Sequence, residues 1–209
     1  MPIQDRIIQK AAELILKYGI KAVTMDEIAS QIGASKKTIY QFYPDKEALI
    51  KAVLINDLQQ FKNRCCIDEA CPNAIVEAIS ALEFMDLQMQ ELNPLVLHEL
   101  QKMYPNIYNI FLDFKENHIS STIRKNLERG IAEGLYRSDV HIEILVRYRV
   151  ESSLLVFNTN LYPVNKFNLV EVSHQLFEHF IRGLLTTKGH TIIEKHKAKL
   201  ILKNEKSKK

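Results

Sequence analysis

The sequence predicts an all-α protein: an amino-terminal three-helix helix-turn-helix unit followed by a larger helical body, about nine helices in all. Three observations predict it. Apolar residues recur at helical spacing along long segments, no stretch shows the strict alternation of a half-buried strand, and glycine and proline are sparse, six of each in 209 residues. A hydrophobic content of 46% is enough to bury a real core.

Each element has a local cause. In "RIIQKAAELILKYGI", Ile7, Ala11, Leu14, Ile15 and Tyr18 form one stripe, and Gly19 stands where a helix commonly ends. Next, "TMDE" (Thr24 to Glu27) reads as a capping box that opens a second helix, which stops at Gly33. "ASKKTIYQ" repeats the device with Ser35 as cap; Pro44 and Asp45 end that helix and open a fourth, "KEALIKAVLINDLQQF". Longer helices follow at residues 73–91, 94–102, 105–130, 140–160 and 167–185. A looser helical pattern, "TIIEKHKAKLIL", carries Ile192, Ile193 and Leu200 into the chain's end. The expected division is residues 1–50 as the helix-turn-helix unit, 51–187 as the helical body and 188–209 as a basic tail.

The net charge of +3 says little, but its distribution is uneven. From Thr187 onward eight lysines face Glu194 and Glu205, which reads as a solvated, frayed end. Neither a cleavable hydrophobic leader nor a run of ~18 apolar residues is present, so the expectation is a cytoplasmic protein without a membrane span. Cys65, Cys66 and Cys71 are odd in number and lack C-x-x-C spacing, the pattern of buried or idle thiols. The seven histidines form no HExxH or i, i+4 pair, so neither a metal nor a cofactor is expected. An enzyme is disfavoured by the lack of G-x-S-x-G, of a phosphate-binding glycine loop and of a recognisable Cys and His arrangement.

The helix after Gly33 has room for only two turns, below the ~12 residues an isolated helix needs. In a helix-turn-helix the second helix is braced by the first. Ile28, Ala29, Ile32 and Ile39 are spaced to pack between the two, leaving Lys36, Lys37, Thr38, Tyr40 and Gln41 facing outward. Lysines and hydroxyls suit phosphates, while Gln, Lys and the threonine methyl reach base edges in a major groove. The same spacing also suits a helix pair in a bundle that binds no DNA, with its lysines merely solvated.

The ordered set Thr24, Ile28, Ala29, Gly33, Ser35, Thr38, Ile39, Tyr40 and Lys46 resembles the amino-terminal signature of the TetR family of bacterial transcriptional regulators. The likeness runs over residues 6–54, and the remaining length resembles the family's variable ligand and dimerization domain. It implies a double-stranded DNA operator as partner and DNA contacts from Thr24, Lys36, Lys37, Thr38, Tyr40 and Lys46. Ser35 and Gln41 are further DNA-contact candidates, and Tyr43 is one if its hydroxyl replaces the donor lost at Phe42, the contact being absent otherwise. Thr24 would cap the second helix and touch a phosphate, and Lys46 would pin another. Two positions depart from the family pattern. Lys37 stands where a small glycine is common, and Phe42 takes the slot of a phosphate-binding His or Tyr, with Tyr43 in that of a buried Phe.

One short recognition helix makes few contacts, so a homodimer reading a palindrome is expected. In residues 167–185, Leu169, Val172, Leu176, Phe177, Phe180, Ile181 and Leu184 cover more than one face and suit either a core alone or a core and a partner. Between residues 73 and 160, Met85, Met89, His98, Met103, Tyr104, Tyr108, Phe111, Phe114 and Tyr148 are candidates to line a pocket; each also suits an ordinary core position. The resemblance implies that a small molecule bound there releases the operator, giving a ligand-responsive repressor. The rival is a DNA-binding protein of the same fold controlled by a protein partner.

Overall fold

The computed structural model describes residues 1–64, 71–90 and 92–206. Cys65 and Cys66 lie outside them, while Cys71 is a free, half-buried thiol. Among the described residues there is no strand; Tyr136 and Leu185 alone pair as an antiparallel bridge between two loops.

The helices follow in the expected order: α1 (Ile3–Tyr18), α2 (Met25–Gln31), α3 (Lys36–Phe42), α4 (Lys46–Arg64), α5 (Ala74–Met89), α6 (Val96–Met103), α7 (Pro105–Phe114), α8 (Ser120–Ala132), α9 (Ile142–Leu154), α10 (Leu169–Leu184) and α11 (Thr187–Lys206). A π-helical turn, Lys115–Ile119, joins α7 to α8 without a break, so the segment from Pro105 is one long rod. A single 3-10 turn, Leu155–Phe157, finishes α9.

The caps form where the sequence puts them. Thr24 Oγ1 accepts from the Glu27 amide at 3.2 Å, Ser35 Oγ from Thr38 at 3.1 Å, and Asp45 Oδ1 from Ala48 at 2.7 Å. Asn73 and Asn168 cap α5 and α10 in the same way. Each cap satisfies amide donors that the first helical turn leaves orphaned.

Packing divides into three cores. The first joins α1, α2, α3 and the start of α4, and it takes in Leu100 and Ile107 from α6 and α7. The second gathers α5, α8, α9 and α10, and the third is a small cluster of Met89, Val156 and Val172. Arg129 ties the second core together by donating to Glu77, Glu133 and the Cys71 carbonyl. Beside it the buried Tyr136 hydroxyl donates to the Ala74 carbonyl.

Two expectations are corrected. Tyr18, expected on the buried stripe of α1, is half exposed with Lys17 over its ring, because it is the helix's last residue and Gly19 turns the chain away after it. The chain beyond residue 188 does not begin as a free basic tail. Its first turns are helical and docked: Ile193 is buried in the second core, Gly189 lies too close to the Leu135 carbonyl for a Cβ, and Glu194 pairs with Arg182. Apolar spacing at Ile192 and Ile193 outweighs the surrounding lysines, whose stems reach solvent.

Candidate nucleic-acid interface

The helix-turn-helix is held as the sequence requires. Ile28, Ala29, Ile32 and Ile39 are all buried, Ile39 completely, between α1, α2 and α3. Gly33, in left-handed backbone at φ +66°, makes the tight turn. The Arg6 guanidinium donates to the Ile32 carbonyl at 2.7 Å, clamping that turn from α1. No local signal in the sequence marks Arg6, since its acceptor is 26 residues away.

The outer surface of α3 is polar and open. Lys36, Lys37, Tyr40 and Gln41 are exposed, Tyr40 by 42%, and Ser35 and Thr24 lie at the same surface. Thr38 is half-buried and shares a 2.8 Å hydroxyl contact with Ser35. Lys36 donates to Asp26 at 2.7 Å, and this hydrogen bond holds its ammonium above the usual lysine range. A solvent-exposed pair of this kind is weak, so a phosphate can take the lysine from the aspartate. Phe42, at 39% exposure, sits at the edge of the same face.

Two expected contacts are displaced. Tyr43 is buried to 5% exposure in the first core and its hydroxyl has no hydrogen-bond partner, so it is corrected from a DNA-facing residue to a core residue. The cause is helix phase: Tyr43 follows Ile39 by one turn and lands on the same inward face. Tyr43→Phe is therefore expected to raise stability by about 1 kcal/mol, measured by urea unfolding, since it removes an unsatisfied buried hydroxyl at constant shape. Lys46 is half-buried and donates to the Ile20 carbonyl at 2.6 Å; burial pulls its ammonium below the usual range against the opposing pull of Glu99. One of its three donors is thus spent inside the protein.

The residues expected to line a pocket do not converge. Met85 and Met89 border the third core, whereas Tyr104 and Tyr108 pack against the first. Phe111 is buried beside Tyr108, with ring centroids 5.8 Å apart. His98, Met103 and Tyr148 are exposed: His98 and Tyr148 lie off the inward faces set by Leu100 on α6 and by Val146 and Val150 on α9, and Met103 is the last residue of α6. A different group meets between α4, α5 and the rod: Phe61 stands edge-on to Phe84 at 5.4 Å and to Phe114 at 5.8 Å, and Phe114 lies 4.9 Å from His118. One turn before Phe61, burial pushes the Asp57 carboxyl up to about 6. Sequence spacing pointed to Phe114 but missed Phe61 and Phe84, which meet only in three dimensions.

α9 and the following loop leave several apolar groups in solvent: Ile144 (61%), Tyr148 (47%), Leu155, Leu161, Val164 and Phe167. A cleft of about 220 Å³ lies between α9 and α10, lined by Leu145, Tyr148, His179, Phe180 and Gly183. Behind it Arg149 lies over the rings of Phe177 and Phe180, and burial pushes its guanidinium down to about 10. Leu169, Val172, Leu176, Phe177, Phe180, Ile181 and Leu184 are buried or half-buried in the chain's own packing. Among the described residues, no three His, Cys, Asp or Glu side chains could hold a metal ion, and no helix is long and apolar enough to cross a membrane.

Residues 7–53 match the family model described as bacterial regulatory proteins, tetR family. An uncharacterized HTH-type transcriptional regulator of Mycobacterium tuberculosis, MT2310, is 30% identical over 100 residues, 47% of this chain and 52% of that one. The chain thus spans about half the length of this relative. The HTH-type transcriptional repressor KstR2 of Mycolicibacterium smegmatis is 21% identical over 89% of this chain and 92% of its own. Among solved structures, a putative transcriptional regulator from Saccharomonospora viridis in complex with choline shares the fold, with a TM-score of 0.69 at 18% identity over 88% of this chain and 98% of its own.

Proposed function

We propose, for a chain that belongs to the TetR family of bacterial regulatory proteins, that it is a DNA-binding transcriptional regulator working as a homodimer on a palindromic operator. The observation that carries this reading is the two-sided character of α3: Ile39 is fully buried against its braces while Lys36, Lys37, Tyr40 and Gln41 stand in solvent. A helix so short has no stability of its own to spare. Its polar surface is therefore free to enter a major groove, with lysines releasing counterions and side chains reaching base edges.

The exposed apolar groups from Ile144 to Phe167 support a second copy of the chain as their cover, since a monomer gains nothing from leaving these groups wet. A palindrome requires such a pair to present its two α3 helices on one side. A repressor released by a small molecule is the finer reading. The aromatic meeting of Phe61, Phe84 and Phe114, with Asp57 close by in sequence on α4, is where such a ligand would sit, in place of the dispersed set Met85, Met89, His98, Met103, Tyr104, Tyr108, Phe111 and Tyr148.

Selection of duplexes from a random pool, followed by footprinting, tests the reading. The recovered sites are expected to be inverted repeats. Tyr40→Ala and Lys37→Ala are expected to weaken binding roughly tenfold each with helix content unchanged, and Lys37→Ala to lower the salt slope by about two, one for each copy in the dimer. Recovery of no duplex at physiological salt, or full affinity in both variants, would refute it.

A further inference from the structure

The α1–α2 turn is held both by groups from the helical body, Asn93 and Glu99, and by Lys46 at the start of α4. Just before it the Leu16 carbonyl, one of the orphaned acceptors at the end of α1, takes a bond from the backbone N–H of Asn93 at 2.6 Å. At its far side the Lys21 amide donates to Glu99 Oε2 at 3.0 Å. Between them the Ile20 carbonyl takes Lys46 Nζ at 2.6 Å. Gly19 sits in left-handed backbone at φ +90°, and a Cβ there would lie 3.0 Å from Glu99 Oε2 and 3.3 Å from Asn93 Nδ2. The segment before α6 and α6 itself thus close on one side of the turn, and α4 closes on the other. Beneath this polar layer Leu100 of α6 is buried in the core of the head, with Val96 packed against it.

We infer that Glu99 is a positioning residue for DNA reading: with the backbone amide of residue 93 it forms a clasp on residues 16–21 that sets the angle at which α2 and α3 are presented. This rests on the DNA-binding reading above. The physical reason is directional. Apolar contacts between α6 and the head tolerate sliding, whereas hydrogen bonds of fixed direction at Leu16, Ile20 and Lys21 do not. The carboxylate of Glu99 and the ammonium of Lys46 bracket the turn with opposite charges, so a shift of α6 relative to α4 breaks one bond or the other. Neither Asn93 nor Glu99 faces the surface of α3, so loss of the clasp alters presentation and leaves the contacting side chains intact.

The test uses the full chain with Glu99→Ala, Glu99→Gln and, as a surface control on the same helix, Gln101→Ala. Two readouts are taken: exchange of the Lys21 amide by NMR, and affinity for the duplex that the wild-type chain selects from a random pool. Glu99→Ala is expected to speed Lys21 exchange about tenfold and to weaken the selected duplex roughly five- to tenfold, with binding to an unrelated duplex unchanged within about twofold. Glu99→Gln keeps an oxygen acceptor for the amide and is expected to stay within about twofold of wild type on both, as is Gln101→Ala. The clasp is overturned by an alanine variant with wild-type Lys21 exchange, by one with wild-type affinity for the selected duplex, or by a glutamine variant that falls as far as alanine. A wild-type chain that selects no duplex removes the DNA reading and the positioning role with it, and Lys21 exchange then reports only whether the clasp exists.

Discussion

Ile144→Asp is expected to yield a folded monomer that no longer holds a palindromic duplex. Ile144 is 61% exposed in the isolated chain, so an aspartate there disturbs no internal packing. In a twofold dimer the same residue is buried twice, because an isologous interface presents one patch from both copies. Burying an unpaired carboxylate costs roughly 3 kcal/mol per copy, so two weaken dimerization by about four orders of magnitude. Sedimentation equilibrium at micromolar concentration reads the first effect. Loss of roughly a hundredfold or more in affinity for the selected palindrome, with far less loss for one half-site, reads the second. A variant that stays dimeric would place the partner elsewhere and leave the exposed groups from Ile144 to Phe167 without a role.

Gly130→Ala is expected to destabilise the body by about 3 kcal/mol, opposite in sign to what helix propensity alone suggests. Alanine in a helix interior normally gains about 1 kcal/mol over glycine. Here, however, an added Cβ would lie 2.1 Å from Cδ2 of Tyr136, an impossible contact. The ring has nowhere to retreat: Tyr136 is 2% exposed and its hydroxyl is fixed to the Ala74 carbonyl at 3.2 Å and to Asn126 at 3.1 Å. Either the ring leaves its hydrogen bonds or α8 moves away from the loop that follows it. Denaturant unfolding of the single variant against wild type measures the loss. An unchanged midpoint would show that this packing is looser than its distances.

The legible and illegible parts of the chain divide by the range of the interactions involved. Thr24, Ser35 and Asp45 are readable because a cap bonds an amide three residues on, and Ile28, Ile32 and Ile39 because spacing alone fixes a shared face. The outward position of Lys37 and Tyr40 follows from the same phase. Tyr43 goes astray because the donor lost at Phe42 suggests its hydroxyl as a replacement, whereas the family's buried Phe at that slot and the periodicity from Ile39 both dictate burial. The pocket residues were chosen for their chemistry, yet which side of α6 or α9 turns inward is decided by Leu100 and Val146 meeting partners far away in sequence. The bonds of Arg6 to Ile32, Lys46 to Ile20 and Glu99 to Lys21 join residues 26 to 78 positions apart, and nothing local announces them.

Leu100 and Ile107 belong to the same buried cluster as Ile7, Ile28 and Ile39. The reading head is therefore not a detachable module. A fragment ending with α4 would carry an uncovered apolar wound on its inner side, and a graft of this head onto another regulator would need α6 and α7 brought along. In the whole chain, melting of the head and melting of these two helices should proceed as one cooperative event.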